Sequence, residues 1–199
     1  MTDQKQRAYH TARAYSEWLV IRYQQGEKAA FDSLCSLWQQ RFLLYAMRRL
    51  ENRESAMDTT QEALLSMSRG LHRLSDPGAF PGWAFRILER RCADQLRKQM
   101  RDRQVFPDNA DAAEDTAELA KKDNVENEIS VNELMRVLDS RVRVVLQLHY
   151  LDGFTVNEVS EILGLPVGTI KSRLFYARKL LANSTNKKVK DNMTKEKVK

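Results

Sequence analysis

The fold is decided by the stretch Asp152–Leu181, DGFTVNEVSEILGLPVGTIKSRLFYARKLL. Thr155 and Glu158 stand at capping-box spacing, so each side chain can satisfy a backbone donor left free at a helix start, and a helix is predicted from Val156. Val159, Ile162 and Leu163 keep helical spacing, and Gly164 supplies the positive φ that closes a helix cheaply. Pro166 then fixes φ at the entry to a second helix, in which Ile170, Leu174, Ala177 and Leu181 share one face. Two helices joined through so short a Gly-containing turn make a helix-turn-helix. Away from the apolar face stand Thr169, Ser172, Arg173 and Tyr176, with Lys171, Arg178 and Lys179 on the flanks. These side chains reach phosphates and base edges. A helical hairpin with a merely solvated basic face is the plainer reading of the same residues.

A chain of 199 residues can hold one large or two small domains. The net charge of +6 and a pI near 9.4 favour a polyanionic partner without separating nucleic acid from membrane surface. Cys35 and Cys92 form no CxxC pair, and His10, His72 and His149 are scattered, so no metal site and no cofactor are predicted. The N-terminal stretch lacks an apolar signal core, and no run approaches the ~18 apolar residues of a membrane span. No membrane insertion is expected, and the cytoplasm is the default compartment. With 7 Gly, 4 Pro and little strand-like alternation, the chain reads as all-α.

Residues 1–14 are polar and are predicted to fray. Trp18, Leu19 and Tyr23 keep helical spacing up to Gly26. In the next helix Phe31, Leu34, Cys35, Trp38, Phe42, Tyr45 and Ala46 follow the i, i+3, i+4, i+7 rule, which makes Cys35 a small core residue rather than a reactive thiol. A third helix, from about Ala56 to Leu74, is predicted to bury Met57, Leu64, Met67, Leu71 and Leu74. Its other stripe is Asp58, Gln61, Glu62, Leu65 and Arg69; a leucine among carboxylates and amides suits a contact surface as well as a solvated face. A Pro/Gly-rich connector, Asp76–Gly82, leads to a helix from Trp83 to about Arg103. At about 100° per residue, Trp83, Arg86, Arg90, Asp94, Arg97 and Arg101 cluster on one side and Ala84, Phe85, Leu88, Cys92 and Leu96 on the other. Guanidiniums for phosphates and an aromatic that can stack on an unpaired base make the first stripe a nucleic-acid platform. Trp83 reads also as a core anchor, the commoner role of a tryptophan beside a helix start, and Asp94 as an ion-pair partner of Arg90 or Arg97. From Val105 the chain is acidic and poor in large apolar residues, which describes a linker. Helical patterning resumes at Val131, with Ser140 as an N-cap between two helices, and the lysine-rich tail lacks a hydrophobic stripe and is expected to be disordered.

The segment LGLPVGTIKSRLFYARKLL resembles the signature L-G-x-P-x-G-T-V/I-K-S-R-L-x-x-A-R of the fourth conserved region of bacterial extracytoplasmic-function sigma factors, the group-four members of the sigma-70-like family. The Asp58, Gln61, Glu62 pattern resembles their second region, and WAFRILERRCADQLRKQMR resembles its W-x-x-R-I-x-x-x-x-x-x-D-x-x-R form, although Cys92 stands where many members carry Asn. The resemblance implies two small helical domains joined by an acidic flexible linker. Residues 15–103 would form the region 2 domain, 104–129 the linker, 130–182 the region 4 helix-turn-helix domain and 183–199 a basic disordered tail. It implies that Asp58, Gln61, Glu62 and Leu65 bind the clamp of the large subunit of core RNA polymerase. Trp83, Arg86, Arg90, Asp94, Arg97 and Arg101 would recognise and melt the minus-ten element as single strand. Thr169, Lys171, Ser172, Arg173, Tyr176, Arg178 and Lys179 would read the minus-thirty-five element in duplex promoter DNA. An anti-sigma factor belongs to the partners such a chain can have, and binding to polymerase would carry it to the nucleoid.

The function expected is therefore promoter-directed transcription initiation, by binding and not by catalysis: no nucleophile with base, paired carboxylates or phosphate-cradling Gly loop stands at usable spacing. The alternative is a one-component helix-turn-helix regulator whose helical N-terminal part senses a ligand or dimerises.

Overall fold

The computed structural model describes residues 2–50, 52–105 and 138–196, with side chains described at 9, 11–50, 52–102 and 138–182. All the regular elements among its described residues are helical: α1 Thr2–Gln24, α2 Ala29–Leu50, α3 Arg53–Gly70, α4 Phe80–Val105, α5 Ser140–Leu146, α6 Val156–Leu163 and α7 Val167–Glu196. Short helical turns at Leu71–Arg73 and Pro77–Ala79 link α3 to α4, and a wide helical turn, Gln147–Leu151, follows α5. The acidic run to Ile129 and the predicted helix positions Leu134 and Val137 lie outside the described residues.

Helices α1–α4 form the first region around an aromatic centre. Trp38 and Phe42 of α2 meet Phe85 of α4 at centroid separations of 6.3 and 5.2 Å, both edge-on, and Phe80 closes on Trp38 at 6.3 Å. Edge-to-face pairs of this kind add about 1 kcal/mol each beyond the area they bury. The Trp38 indole N–H donates to Ser16 Oγ at 2.7 Å, which satisfies the one polar atom such a ring brings inside and ties α1 to α2. On α3, Asn52 caps the start by accepting from the Ser55 N–H at 2.8 Å. The buried face of α3 is Ala56, Thr59, Thr60, Ala63 and Met67, whereas Met57, expected inside, is exposed. Small residues let α3 approach α2 and α4 closely; the sequence reading favoured the larger side chain, which lies about 100° round the helix from Ala56.

Three further expectations are corrected. Residues 2–14 are helical within α1, and Tyr9 is buried because its ring fills a space between the two helical regions. The helix after the connector begins at Phe80, taking in Pro81 and Gly82, since proline is tolerated where first-turn N–H groups have no partner anyway. The cap of α5 is Asp139, whose side chain accepts from the Arg141 N–H at 2.8 Å, and Ser140 is the first helical residue. At the other end, the backbone of α7 runs as helix to Glu196.

Helices α5–α7 form the second region around Val145, Leu148, Val159, Ile162, Ile170, Leu174 and Ala177, all buried. The reciprocal Thr155–Glu158 capping box starts α6 and Gly164, at φ 62°, ends it. His149 Nδ1 lies 2.8 Å from the Phe154 carbonyl oxygen and pins the loop between the wide turn and α6. The two regions touch: α6 packs across α4, and Phe154 is buried against Phe85 and Tyr9 at 5.1 and 5.9 Å.

Candidate nucleic-acid interface

In the second region the turn from α6 into α7 presents one face of α7 to solvent. Lys171, Ser172, Tyr176, Arg178 and Lys179 are exposed on it, and Thr169 and Arg173 are half-buried. The buried stripe Ile170, Leu174 and Ala177 fixes that orientation, because a helix with one face seated on α5 and α6 has only the other to offer. Three of the outward side chains rest on local backbone. Ser172 Oγ donates to the Thr169 carbonyl at 2.9 Å, Arg178 Nε to the Leu174 carbonyl at 3.3 Å, and Arg173 reaches across to the Arg141 carbonyl at 3.3 Å. Phe175 adds an apolar surface, two-thirds exposed, that the sequence reading did not select.

In the first region Ala84, Phe85, Leu88 and Cys92 bury one side of α4 and leave Arg86, Arg90, Asp94, Arg97 and Arg101 exposed on the other. Asp94 takes Arg97 as its ion-pair partner one turn on. Arg86 pairs with Glu161 of α6 at 3.3 Å. Trp83 departs from the stripe: it is half-buried, packed toward Phe80 at 6.2 Å and so close to Gly70 that a Cβ there would lie 3.0 Å from its ring. Its place in the fold is a seat for the end of α3, the core alternative of the sequence reading. Burial pushes the Cys92 thiol up to about 12 and, with the neighbouring Asp32 charge, the Cys35 thiol to about 11, so neither is a ready nucleophile.

On α3, Asp58, Gln61, Glu62 and Leu65 stand together on the exposed face, with Leu65 59% exposed. The Glu62 carboxylate is 3.9 Å from Arg91 of α4, in an exposed pair of little energetic weight. Among the described residues, that pair is the one ion pair or side-chain hydrogen bond by which these four side chains reach another element. Among the described residues no helix is long and apolar enough to cross a membrane, and no group of His, Cys, Asp or Glu gathers as metal ligands would.

Two family models match the chain: sigma-70 region 2 over residues 36–102 and sigma-70 region 4 over residues 129–181. Together they take in more than half of it, in the order in which the two helical regions occur. The ECF RNA polymerase sigma-E factor of Haemophilus influenzae is 29% identical over 175 residues, a span of 83% of this chain and 92% of that one. The chain belongs to the extracytoplasmic-function sigma factors. The RNA polymerase sigma-H factor of Pseudomonas aeruginosa is similar at 28% identity over 177 residues, 82% of this chain and 90% of that one. Among solved structures, the sigma factor RpoE from Bartonella quintana, in complex with the anti-sigma factor NepR, superposes with a TM-score of 0.67 at 22% identity, covering 77% of this chain and 94% of that one. CnrH, in complex with the cytosolic domain of CnrY, superposes at 0.60 and 19% identity, covering 86% and 97%.

This sigma factor directs transcription initiation by RNA polymerase at specific promoters, and as a member of its family it is not an enzyme. The α7 face falls inside its region 4 match, and the α3 face and the whole α4 stripe inside its region 2 match. Tyr9, Arg13 and Phe154, which join the regions, carry no motif of their own. The signal that could have marked Tyr9 is slight: an aromatic two turns before Ser16, on the same side of α1.

Proposed function

We propose that this sigma factor divides its work between its two helical regions, with residues 15–103 as a domain for core polymerase and the minus-ten element and 130–182 as a domain for the minus-thirty-five element. The observation that carries the division is the exposed face Asp58, Gln61, Glu62 and Leu65, which the fold leaves unused although it includes a leucine. That face docks on the clamp of the large polymerase subunit. The arginines of α4 then take the backbone of the melted strand, with Arg90 and Arg101 reaching phosphate first because Arg86 and Arg97 already hold carboxylates. Trp83 acts from beneath by holding α4 against Gly70. The α7 face enters the major groove of the duplex, its N-terminal part Thr169–Tyr176 toward base edges and Arg178 and Lys179 toward phosphates.

One similar solved structure is held by the anti-sigma factor NepR and another, CnrH, by the cytosolic domain of CnrY, and a protein of the anti-sigma class is the regulator this chain would take. Transcription in vitro with purified core polymerase and genomic DNA tests the assignment. Discrete start sites that require the chain are expected; core polymerase initiating identically without it would reject the reading.

A further inference from the structure

We propose that the contact with duplex DNA extends beyond α7 onto α5, where Arg141 grips the phosphate backbone beside the arginine that reads base edges. The proposal rests on the reading of α7 as the face that enters the major groove, and on the structure alone for what stands next to it.

Arg141 lies in the first turn of α5 and is exposed. Val142 and Val145 are buried in the core of the second region, where α5 packs against α7, and they leave Arg141 turned outward. Arg143, the other cation of this helix, is half-buried and donates to the Leu138 carbonyl at 3.1 Å. Arg141 is tied to its surroundings through its backbone. Its carbonyl oxygen accepts from Arg173 Nη1 at 3.3 Å, and its N–H donates to the Asp139 carboxylate at 2.8 Å. What it has left to offer a ligand is its side chain. Among the described residues that guanidinium holds no carboxylate, whereas Arg86 and Arg97 of α4 each hold one.

A helix with its side chains is about 10–12 Å across, and the major groove of B-DNA is about 12 Å wide. A helix in the groove therefore fills it from wall to wall. A residue carried beside that helix by a neighbouring one meets the wall, and the wall is phosphate. Around α7, at about 100° per residue, Arg173 stands about 140° from Arg178 and about 160° from Lys171, with the buried stripe Ile170, Leu174 and Ala177 between them. Lys171 and Arg178 thus serve one wall of the groove. Arg173 leans towards the other, and the Arg141 backbone that it touches stands on that side. A cation at each margin holds α7 in register while Thr169–Tyr176 meets base edges. Such contacts fix position and carry no sequence information of their own. Arg141 supplies charge, and Arg173 supplies the reading.

The test uses holoenzyme made with the full-length chain and a duplex fragment selected from genomic DNA by the wild-type holoenzyme. Arg141→Ala, Arg141→Lys and Lys179→Ala are compared with wild type by filter binding at about 50 and about 200 mM salt. One lost phosphate contact lowers the salt slope by about 0.9, so the Arg141→Ala defect should be about 3.5-fold larger at the lower salt. Arg141→Lys keeps a point charge and should bind within about twofold of wild type. Across single-base variants of the fragment, Arg141→Ala should lower every affinity by one common factor. Both variants should melt within about two degrees of wild type, as exposed substitutions do. An unchanged slope for Arg141→Ala beside a reduced one for Lys179→Ala would overturn the proposal. So would a preference flattened at one base position, a lysine variant as weak as the alanine one, or a loss of stability that both variants share. If Lys179→Ala also bound as wild type does at both salts, the reading of α7 as the duplex face would fall, and the proposal with it.

Discussion

The Tyr45 hydroxyl donates to Glu89 Oε2 at 2.6 Å, and the Arg49 guanidinium lies 3.2–3.3 Å from the same carboxylate. Tyr45 is fully buried, so its hydroxyl, pushed well above its ordinary pKa by burial and then by the Glu89 charge, depends on that one acceptor. Removing the acceptor leaves a buried hydroxyl and a mostly buried cation without a partner at the crossing of α2 and α4. Glu89→Ala is expected to cost about 3–5 kcal/mol, and Tyr45→Phe only about 1 kcal/mol, because the latter removes donor and need together. Urea titration of both variants and of the double variant checks this; equal costs would show that the carboxylate does not organise the crossing.

On α3 the prediction has the opposite character. Glu62→Arg should abolish co-purification with core polymerase and leave the melting temperature within about a degree of wild type, because the exposed Arg91 pair it loses is worth little. A variant that still co-purifies would remove this face from the polymerase contact.

The α4 arginines differ in what they must release. Arg90→Ala and Arg101→Ala should each reduce the slope of promoter affinity against salt by about 0.7–0.9, one phosphate contact apiece. Arg97→Ala should reduce it less, since that guanidinium already pairs with Asp94. Filter binding by the holoenzyme between 50 and about 200 mM salt decides the order, and equal slopes in all three would contradict it.

For α7, Arg173 is the residue expected to read sequence. Its planar fork can engage the O6 and N7 acceptors of guanine together, a pairing worth about 1–3 kcal/mol against a wrong base. To do so it leaves the Arg141 carbonyl, a neutral acceptor at 3.3 Å and a weak hold. Holoenzyme binding to every single-base variant of a bound site should show the preference flattened at one or two adjacent positions by Arg173→Ala and affinity lowered uniformly by Lys179→Ala. Uniform loss from both would place Arg173 on the backbone.

Asp152 sets a pH dependence on the packing of the second region against the first. Its carboxyl is raised from its ordinary value to about 7 by burial, which the Arg48 and Arg41 charges of α2 only partly offset. Gln147 and Tyr9 are the other groups that face it. A raised carboxyl favours the compact form below its free pKa, near 4, and that contribution is lost as pH rises towards 7. The folded chain should therefore be more stable at pH 5 than at pH 8, by several degrees in melting temperature. Asp152→Asn, neutral throughout, should be the more stable variant at pH 8 and show a flatter profile; a profile parallel to wild type would assign the dependence to other groups.

What was legible in the sequence was whatever short-range chemistry determines. The Thr155–Glu158 box, the positive φ of Gly164 and the buried face Ile170, Leu174, Ala177 depend on residues within two turns of one another, and the structure has them where the spacing put them. The exposed stripes of α3 and α4 were legible for the same reason. Met57 was misread because α3 packs through alanines and threonines, and closeness of approach, set by the neighbouring helices, outweighed side-chain size. Trp83 could be resolved only by its neighbour Gly70, thirteen residues earlier and in another element. Tyr9 and Arg13 were invisible for the strongest form of that reason: Glu158 is 145 residues from Arg13, and no local pattern records such a distance.

Glu158 shares its two carboxylate oxygens between tasks of different range. Oε2 accepts from the Thr155 N–H at 2.8 Å and the Thr155 hydroxyl at 2.9 Å, while Oε1 takes Arg13. Burial opposes its charge, but the Arg13 and Thr155 donors outweigh that and hold its pKa below the ordinary value. The dependence between the tasks runs one way. Without α1 the start of α6 keeps its own two donors, whereas without the box the oxygen offered to Arg13 would have no fixed direction. The α6 start is thus complete before the first helix arrives, and the long-range contact borrows an orientation that a four-residue segment has already set.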